Sequence, residues 1–212
     1  MARRSREDSE ATRQSILDAA VELFLEQGVT RTSLAEIAAK AGHTRGAIYH
    51  HFENKGQIIE ELIHSVCLPF DELFNEKNAQ SLEQFHRQVL KTMQCNFADE
   101  KRKRIHTILF HRCEFTEDLN PVYEESIQKT KRRLDFTIDV FRRAQQRGEV
   151  AAHFDPAQLG FTLQSMCIGL YWKYLREPWK GNLHVDLELA LALFFNGLKA
   201  TQPSQLSLGE TA

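Results

Sequence analysis

Cysteine is scarce in this chain of 212 residues, and its four cysteines stand far apart. Cys67, Cys95, Cys113 and Cys167 form no C-x-x-C pair, which argues against a zinc ribbon or a disulfide framework. A reduced cytosolic setting is expected, with these thiols acting as small buried hydrophobes. No run approaches the ~18 apolar residues that a membrane span needs, and no secretory signal opens the chain. No membrane partner and a cytoplasmic location are therefore expected. Missing too are internal repeats and any alternating apolar run long enough to argue for a sheet. There is no phosphate-cradling glycine loop, no nucleophile elbow and no evident nucleophile–base pairing, so neither an enzyme nor a cofactor is expected. His50 and His51 are adjacent, and His106, His111 and Cys113 are close in sequence, but none has the paired spacing of a structural zinc site. No metal is expected. Charge of one sign is also absent: 27 Lys and Arg against 29 Asp and Glu leave a formal net charge of −2, which does not advertise nucleic-acid binding.

What the chain does have is concentrated in residues 33–55. Ser33 and Glu36 stand three apart, the reciprocal capping pattern that satisfies orphan amides at a helix start. Leu34, Ile37, Ala38 and Ala41 then repeat at helical spacing, and Gly42 suits the left-handed residue that ends a helix. Thr44 is placed to cap a second short helix with Ala47 and Ile48 inward and Arg45, Gly46, Tyr49 and His50 outward. This is the layout of a helix-turn-helix that offers its second helix to the major groove. Arg45 carries a fork of donors suited to a base edge or a phosphate. Gly46 lets two backbones come close, and Tyr49 and His50 can fix register on phosphates. Asn54 and Gln57 form a further capping pair, which puts Lys55 in the first turn of a third helix, where a phosphate would sit well. Locally the charge is favourable. Arg3, Arg4 and Arg6 face no acid among residues 1–6, and Arg31, Lys40, Arg45 and Lys55 outnumber Glu36 and Glu53.

These segments carry a family resemblance. The helix over residues 6–27, the block TSLAEIAAKAG at 32–42 and TRGAIYHHFxNK at 44–55 resemble the DNA-binding domain of the TetR family of bacterial repressors. The opening MARRSRED with TRGAIY is similar to its AcrR/TtgR-like multidrug-efflux subgroup, in which position 50, here His, is often Trp. The expected DNA-binding set is Arg3, Arg4, Thr32, Ser33, Thr44, Arg45, Gly46, Tyr49, His50 and Lys55.

Everything after residue 55 reads as helix, so the expected fold is all-α with about nine helices. Residues 1–54 would form a three-helix DNA-binding domain, 55–200 a ligand-binding and dimerisation domain, and 201–212 a disordered tail. Residues 10–27 form an apolar-faced helix ending at Gly28. A longer helix from Lys55 meets Pro69, which is expected to kink it or break a backbone hydrogen bond. Leu82, Phe85, Val89, Met93 and Phe97 mark the next helix, and the basic residues 101–104 read as a connector. Pro121 opens a long helix closed by Gly148. Asp155 and Pro156 start another, and a last one spans roughly residues 186–199.

The last two helices are apolar around more than one face, which a homodimer burying both in an intersubunit four-helix bundle would satisfy. The middle helices bring Phe70, Phe85, Met93, Phe97, Phe110 and Met166 together with His106, Cys113 and Thr137. That mixture fits either a packed core or a promiscuous apolar pocket. The segment at 104–118 is similar to the drug-contacting stretch of the same subgroup, which implies that His106 and Phe110 face a ligand. A looser match at 167–170 implies Gln164, Cys167 and Ile168 near it, with Val66, Phe85 and Val89 facing the same cavity. Phe110 stands in place of a histidine and Ile168 in place of an acid, so the pocket is expected to be less polar. The function so implied is a ligand-responsive repressor of a multidrug efflux operon. It would be released from palindromic double-stranded DNA by hydrophobic small molecules. The alternative is a constitutive or redox-sensing DNA-binding protein of the same family.

Overall fold

The computed structural model describes residues 2–73, 79–114, 120–177 and 182–199; the side chains of residues 2–5, 67–73 and 121–122 lie outside the description. Among the described residues there are nine helices and no strand. In chain order they are α1 Ala2–Gln27, α2 Leu34–Lys40, α3 Arg45–His51, α4 Lys55–Leu73, α5 Leu82–Ala98, α6 Glu100–His111, α7 Asn120–Gln146, α8 Pro156–Arg176 and α9 Leu183–Gly197. No helix among the described residues is long and apolar enough to cross a membrane.

Local chemistry sets most of the boundaries. The Ser33 side chain accepts from the Glu36 amide while the Glu36 carboxylate accepts from the Ser33 amide, a complete capping box. Thr44 accepts from Ala47 and Ser81 from Gln84. Asp155 accepts from Ala157 just after the N1 proline. Gly28, Gly42 and Gly148 adopt positive φ of 85°, 74° and 75°, where a side chain would be strained. Asn54 caps α4 through Gln57, whose side chain reaches back one residue further than expected, to the Glu53 amide.

Two boundaries differ from the sequence reading. Helix α1 begins at Ala2, so the backbone of Arg3 and Arg4 is helical; their side chains lie outside the described residues. Residues 101–104 are the first turn of α6 and not a connector, because acids offset their charge. Asp99 caps Arg102 and pairs with its guanidinium at 3.3 Å, and Glu100 pairs with Lys103. Helix α4, by contrast, runs from Lys55 past Pro69 to Leu73, in line with its apolar spacing.

Two buried clusters organise the helices. The first joins Ile16, Ala20 and Phe24 of α1 to Ile37, Ile48 and Phe52 around the helix-turn-helix. It continues into Ile58, Ile59, Leu62 and Val66 of α4 and Ile105 and Ile108 of α6. The core behind α3 therefore does not stop at residue 54. Helix α4 is shared between the helix-turn-helix and the rest of the chain. The second cluster joins Phe85, Val89, Met93 and Phe97 of α5 to Val140 and Phe141 of α7, Leu159, Leu163 and Tyr171 of α8, and Leu187, Leu191 and Phe195 of α9. Each buried valine, leucine, isoleucine, methionine or phenylalanine among them contributes roughly 1.5–3 kcal/mol.

Candidate functional site

Helix α3 rests on a single pivot. Ile48 is fully buried, whereas Arg45, Gly46, Tyr49 and His50 on the other face are exposed. The Arg45 guanidinium lies over the Tyr49 ring at 5.6 Å, one turn on, so the two side chains form one amphipathic surface. His50 meets His51 edge to face at 5.4 Å, and burial, then the charge of His50, pushes the His51 imidazole below its ordinary range. The turn ahead of α3 is braced from behind by Ser15 of α1, whose hydroxyl lies 2.8 Å from His43 Nε2. Arg13 reaches from α1 to Glu61 of α4 as a two-pronged ion pair and lies over Phe52 at 4.9 Å. The recognition helix is thus fixed to both its neighbours. Sequence reasoning missed Ser15, Arg13 and Glu61, because their partners are 28 and 48 residues away.

Two expected DNA contacts are occupied inside the protein. Thr32 is only 2% exposed, and its hydroxyl donates to the Gly28 carbonyl at 2.7 Å while accepting from Gln27. Lys55 donates to the carbonyls of Val29 and Thr30 at 2.7 and 3.2 Å. Its ammonium thus braces the α1–α2 loop with two of its three donors. Ser33 and Thr44 remain exposed, each already serving as a cap.

The expected ligand residues divide. Val66 and Cys113 pack with the first cluster, and Phe85, Val89, Met93 and Cys167 with the second. Phe85 sits edge-on between the Phe141 and Phe195 rings, as core. Thr137 is buried and donates to the Arg133 carbonyl of its own helix. Gln164 donates to the Thr130 carbonyl at 3.4 Å, tying α8 to α7. Phe70 lies among side chains outside the described residues. Ile168 differs from expectation. It is seven residues after Phe161 and four before Trp172, and all three point outward on α8.

His106 does sit among aromatic rings, of which Tyr171 and Phe97 are buried while Phe110 is 42% exposed at the edge. Its Nδ1 is hydrogen-bonded to the Tyr171 hydroxyl, and the Tyr171 ring packs on Phe97 at 4.5 Å and Phe110 at 6.1 Å. Burial, with Arg102 and Arg133 adding to it, pushes the His106 imidazole down to about 4, so it is neutral at physiological pH. Burial likewise pushes the Tyr171 phenol up. A neutral imidazole and a neutral phenol can exchange one hydrogen bond in either direction, and both can offer it to a guest. On α5, Asn96 is fully buried, and neither carboxamide atom has a hydrogen-bond partner among the described residues. Sequence reading passed over Asn96 because a lone polar residue in an apolar helix gives no periodic signal.

Burial pushes the Cys167 thiol up to about 12 and, with Glu114 adding to it, raises Cys113 as well. Such thiols make poor thiolates, which weighs against the redox-sensing alternative.

Residues 16–62 match the family described as bacterial regulatory proteins, tetR family, and residues 80–198 match the C-terminal region of MAATS-type transcriptional repressors. The chain is 32% identical over 195 residues to the HTH-type transcriptional regulator TtgR of Pseudomonas putida, covering 89% of this chain and 91% of that protein. The chain belongs to the TetR family. Among solved structures, this TetR-family regulator resembles NalD, the secondary repressor of the MexAB-OprM multidrug efflux pump in Pseudomonas aeruginosa. The TM-score is 0.83 at 37% identity, over 91% of this chain and 98% of NalD. It also resembles a SmeT–triclosan complex, with a TM-score of 0.74 at 28% identity over 92% of this chain and 99% of that one. The all-helical plan with an N-terminal helix-turn-helix is therefore the TetR-family fold.

Proposed function

We propose that this regulator is a cytoplasmic homodimer that represses a multidrug efflux operon and leaves its palindromic operator when a hydrophobic small molecule binds. In this reading residues 1–54 are the DNA-reading head and residues 55–200 the sensing and dimerising body. The observation that carries it is the exposed face of α3, Arg45 to His50, set on the buried Ile48 pivot and braced by α1 and α4. Nothing among the described residues buries that face, and its donors suit base edges and phosphates. Likeness to NalD and TtgR supports an efflux operon as the target.

Sensing is assigned to His106, Tyr171 and Asn96. A hydrophobic ligand with one donor or acceptor would satisfy groups that otherwise stay buried without full partnership. Two contacts support transmission from there to the reading head. The Arg112 carbonyl, one residue beyond α6, accepts from the Val29 amide at 3.0 Å. Glu114 accepts from Thr30 at 3.2 Å, and Lys55 grips the same loop. A shift of α6 would therefore pull the loop that feeds α2. The ligand can move the equilibrium only through its difference in affinity between the two states.

The test is an operator gel shift on DNA upstream of an adjacent transporter gene, with a panel of amphipathic drugs and parallel thermal-shift measurements. Release from the operator by drugs that also stabilise the protein is expected. Tight operator binding indifferent to every hydrophobic compound tried, with no thermal shift, would remove the sensing half of the proposal.

A further inference from the structure

Helix α4 carries Glu60 and His64 one turn apart, and α7 brings Glu125 against them. The ligating atoms of the three residues all lie within 4.8 Å of one another. His64 Nε2 is 3.6 Å from Glu125 Oε1 and 4.0 Å from Glu60 Oε1. Both separations exceed the hydrogen-bonding range of about 2.7–3.2 Å, so these atoms surround a common point without bonding one another. In a tetrahedral zinc shell with bonds of about 2.0–2.1 Å, neighbouring donors stand roughly 3.3 Å apart. Small rotations of two exposed or half-exposed glutamate side chains would close the difference. One imidazole and two carboxylates form a donor set that suits Zn²⁺, with the remaining position left to water.

We propose that Glu60, His64 and Glu125 form a divalent transition-metal site that clips α4 to α7. A protein cation already competes for it. Lys129, one turn along α7, holds Glu125 Oε1 at 2.8 Å, the same oxygen that faces His64. Metal entry must displace that ammonium, so the affinity is set partly by Lys129. The clip joins the helix shared with the reading head to a helix of the body. It therefore resists any swing of α4 away from α7, a consequence that rests on the drug-induced release proposed above.

Calorimetric titration of chelator-treated full-length protein with zinc chloride tests the site itself. One ion per chain is expected, bound at least tenfold more weakly by His64→Ala and about tenfold more tightly by Lys129→Ala. Cobalt substitution should give a visible spectrum without a thiolate charge-transfer band. Unchanged affinity in His64→Ala, weaker affinity in Lys129→Ala, or a thiolate band would overturn the site. Drug-induced operator release is then measured with and without zinc. A severalfold higher drug requirement in the wild type, absent in His64→Ala, supports the clip. Zinc bound at this site with release unaltered would discard the mechanical consequence and leave the metal site standing.

Discussion

A Cβ added at Gly46 would meet nothing nearer than the Thr44 Oγ1 atom, 3.9 Å away. The protein's own packing thus has room for alanine, and an exposed helical glycine is the less stable choice by up to about 1 kcal/mol. If glycine is required, the reason lies outside the chain, in a DNA backbone that comes close. Gly46→Ala should leave urea stability equal or slightly higher while weakening operator binding about tenfold by fluorescence anisotropy. Undiminished binding would remove the close approach from the account. His106 makes a second prediction at this scale. Its folded-state pKa is depressed from 6.5 to about 4. Between those values the unfolded chain binds a proton that the folded one refuses, so stability is complete above about pH 6.5 and falls toward pH 4. The loss is of order 3 kcal/mol, with His86 and His111 pulling the same way. Urea melts at pH 7.5 and 5 should show a smaller difference in His106→Gln than in the wild type. Equal differences would mean that His106 is not the buried titrating group.

At the scale of the element, what could be read from sequence was what is local. Ser33 with Glu36, Gly42 and Thr44 each act within four residues, so the helix-turn-helix was legible down to which face is exposed. Long-range partners were not legible. The Lys55 ammonium looked like a phosphate ligand because helix start and charge are visible in sequence, while the Val29 carbonyl that captures it is not. Ile168 was placed by similarity to a pocket, although its spacing from Phe161 and Trp172 sets it on the outer stripe of α8. The junction of α7 and α8 shows the same limit. Gly160 gives no turn signal, yet a Cβ there would stand 2.8 Å from Ile138 Cγ1 and 3.5 Å from the Ile138 amide nitrogen. Glycine lets α8 lie close on α7. Gly160→Ala should cost about 1–3 kcal/mol by forcing Ile138 aside, despite alanine's better helix propensity. Gly160→Ala should cost nothing further in an Ile138→Ala background, which lacks the Cγ1 atom; an equal cost there, or a stable single variant, would refute that clash as the cause.

For the molecule as a whole, α8 and α9 each have two apolar faces. Leu183, Leu187, Leu191 and Phe195 turn inward into the second core cluster. Val185, Leu189 and Leu193, also four apart, turn outward and are 57%, 57% and 67% exposed. Phe161, at 64%, extends the same character onto α8 with Ile168 and Trp172. A protomer that keeps six large apolar side chains in water on two adjacent helices presents a patch of the kind that marks an interface. A second copy about a two-fold axis is the simplest cover, since the same stripe then serves both sides. Leu189→Glu with Leu193→Glu places like charges against each other across such an axis without touching the protomer core. Sedimentation should therefore show a monomer whose helical circular dichroism is unchanged. Operator affinity should collapse as well, because one recognition helix alone reaches only one half-site and the second contact is no longer intramolecular. If the double variant remained dimeric and bound operator normally, the pairing surface would have to lie elsewhere, and the outward stripe would need another partner.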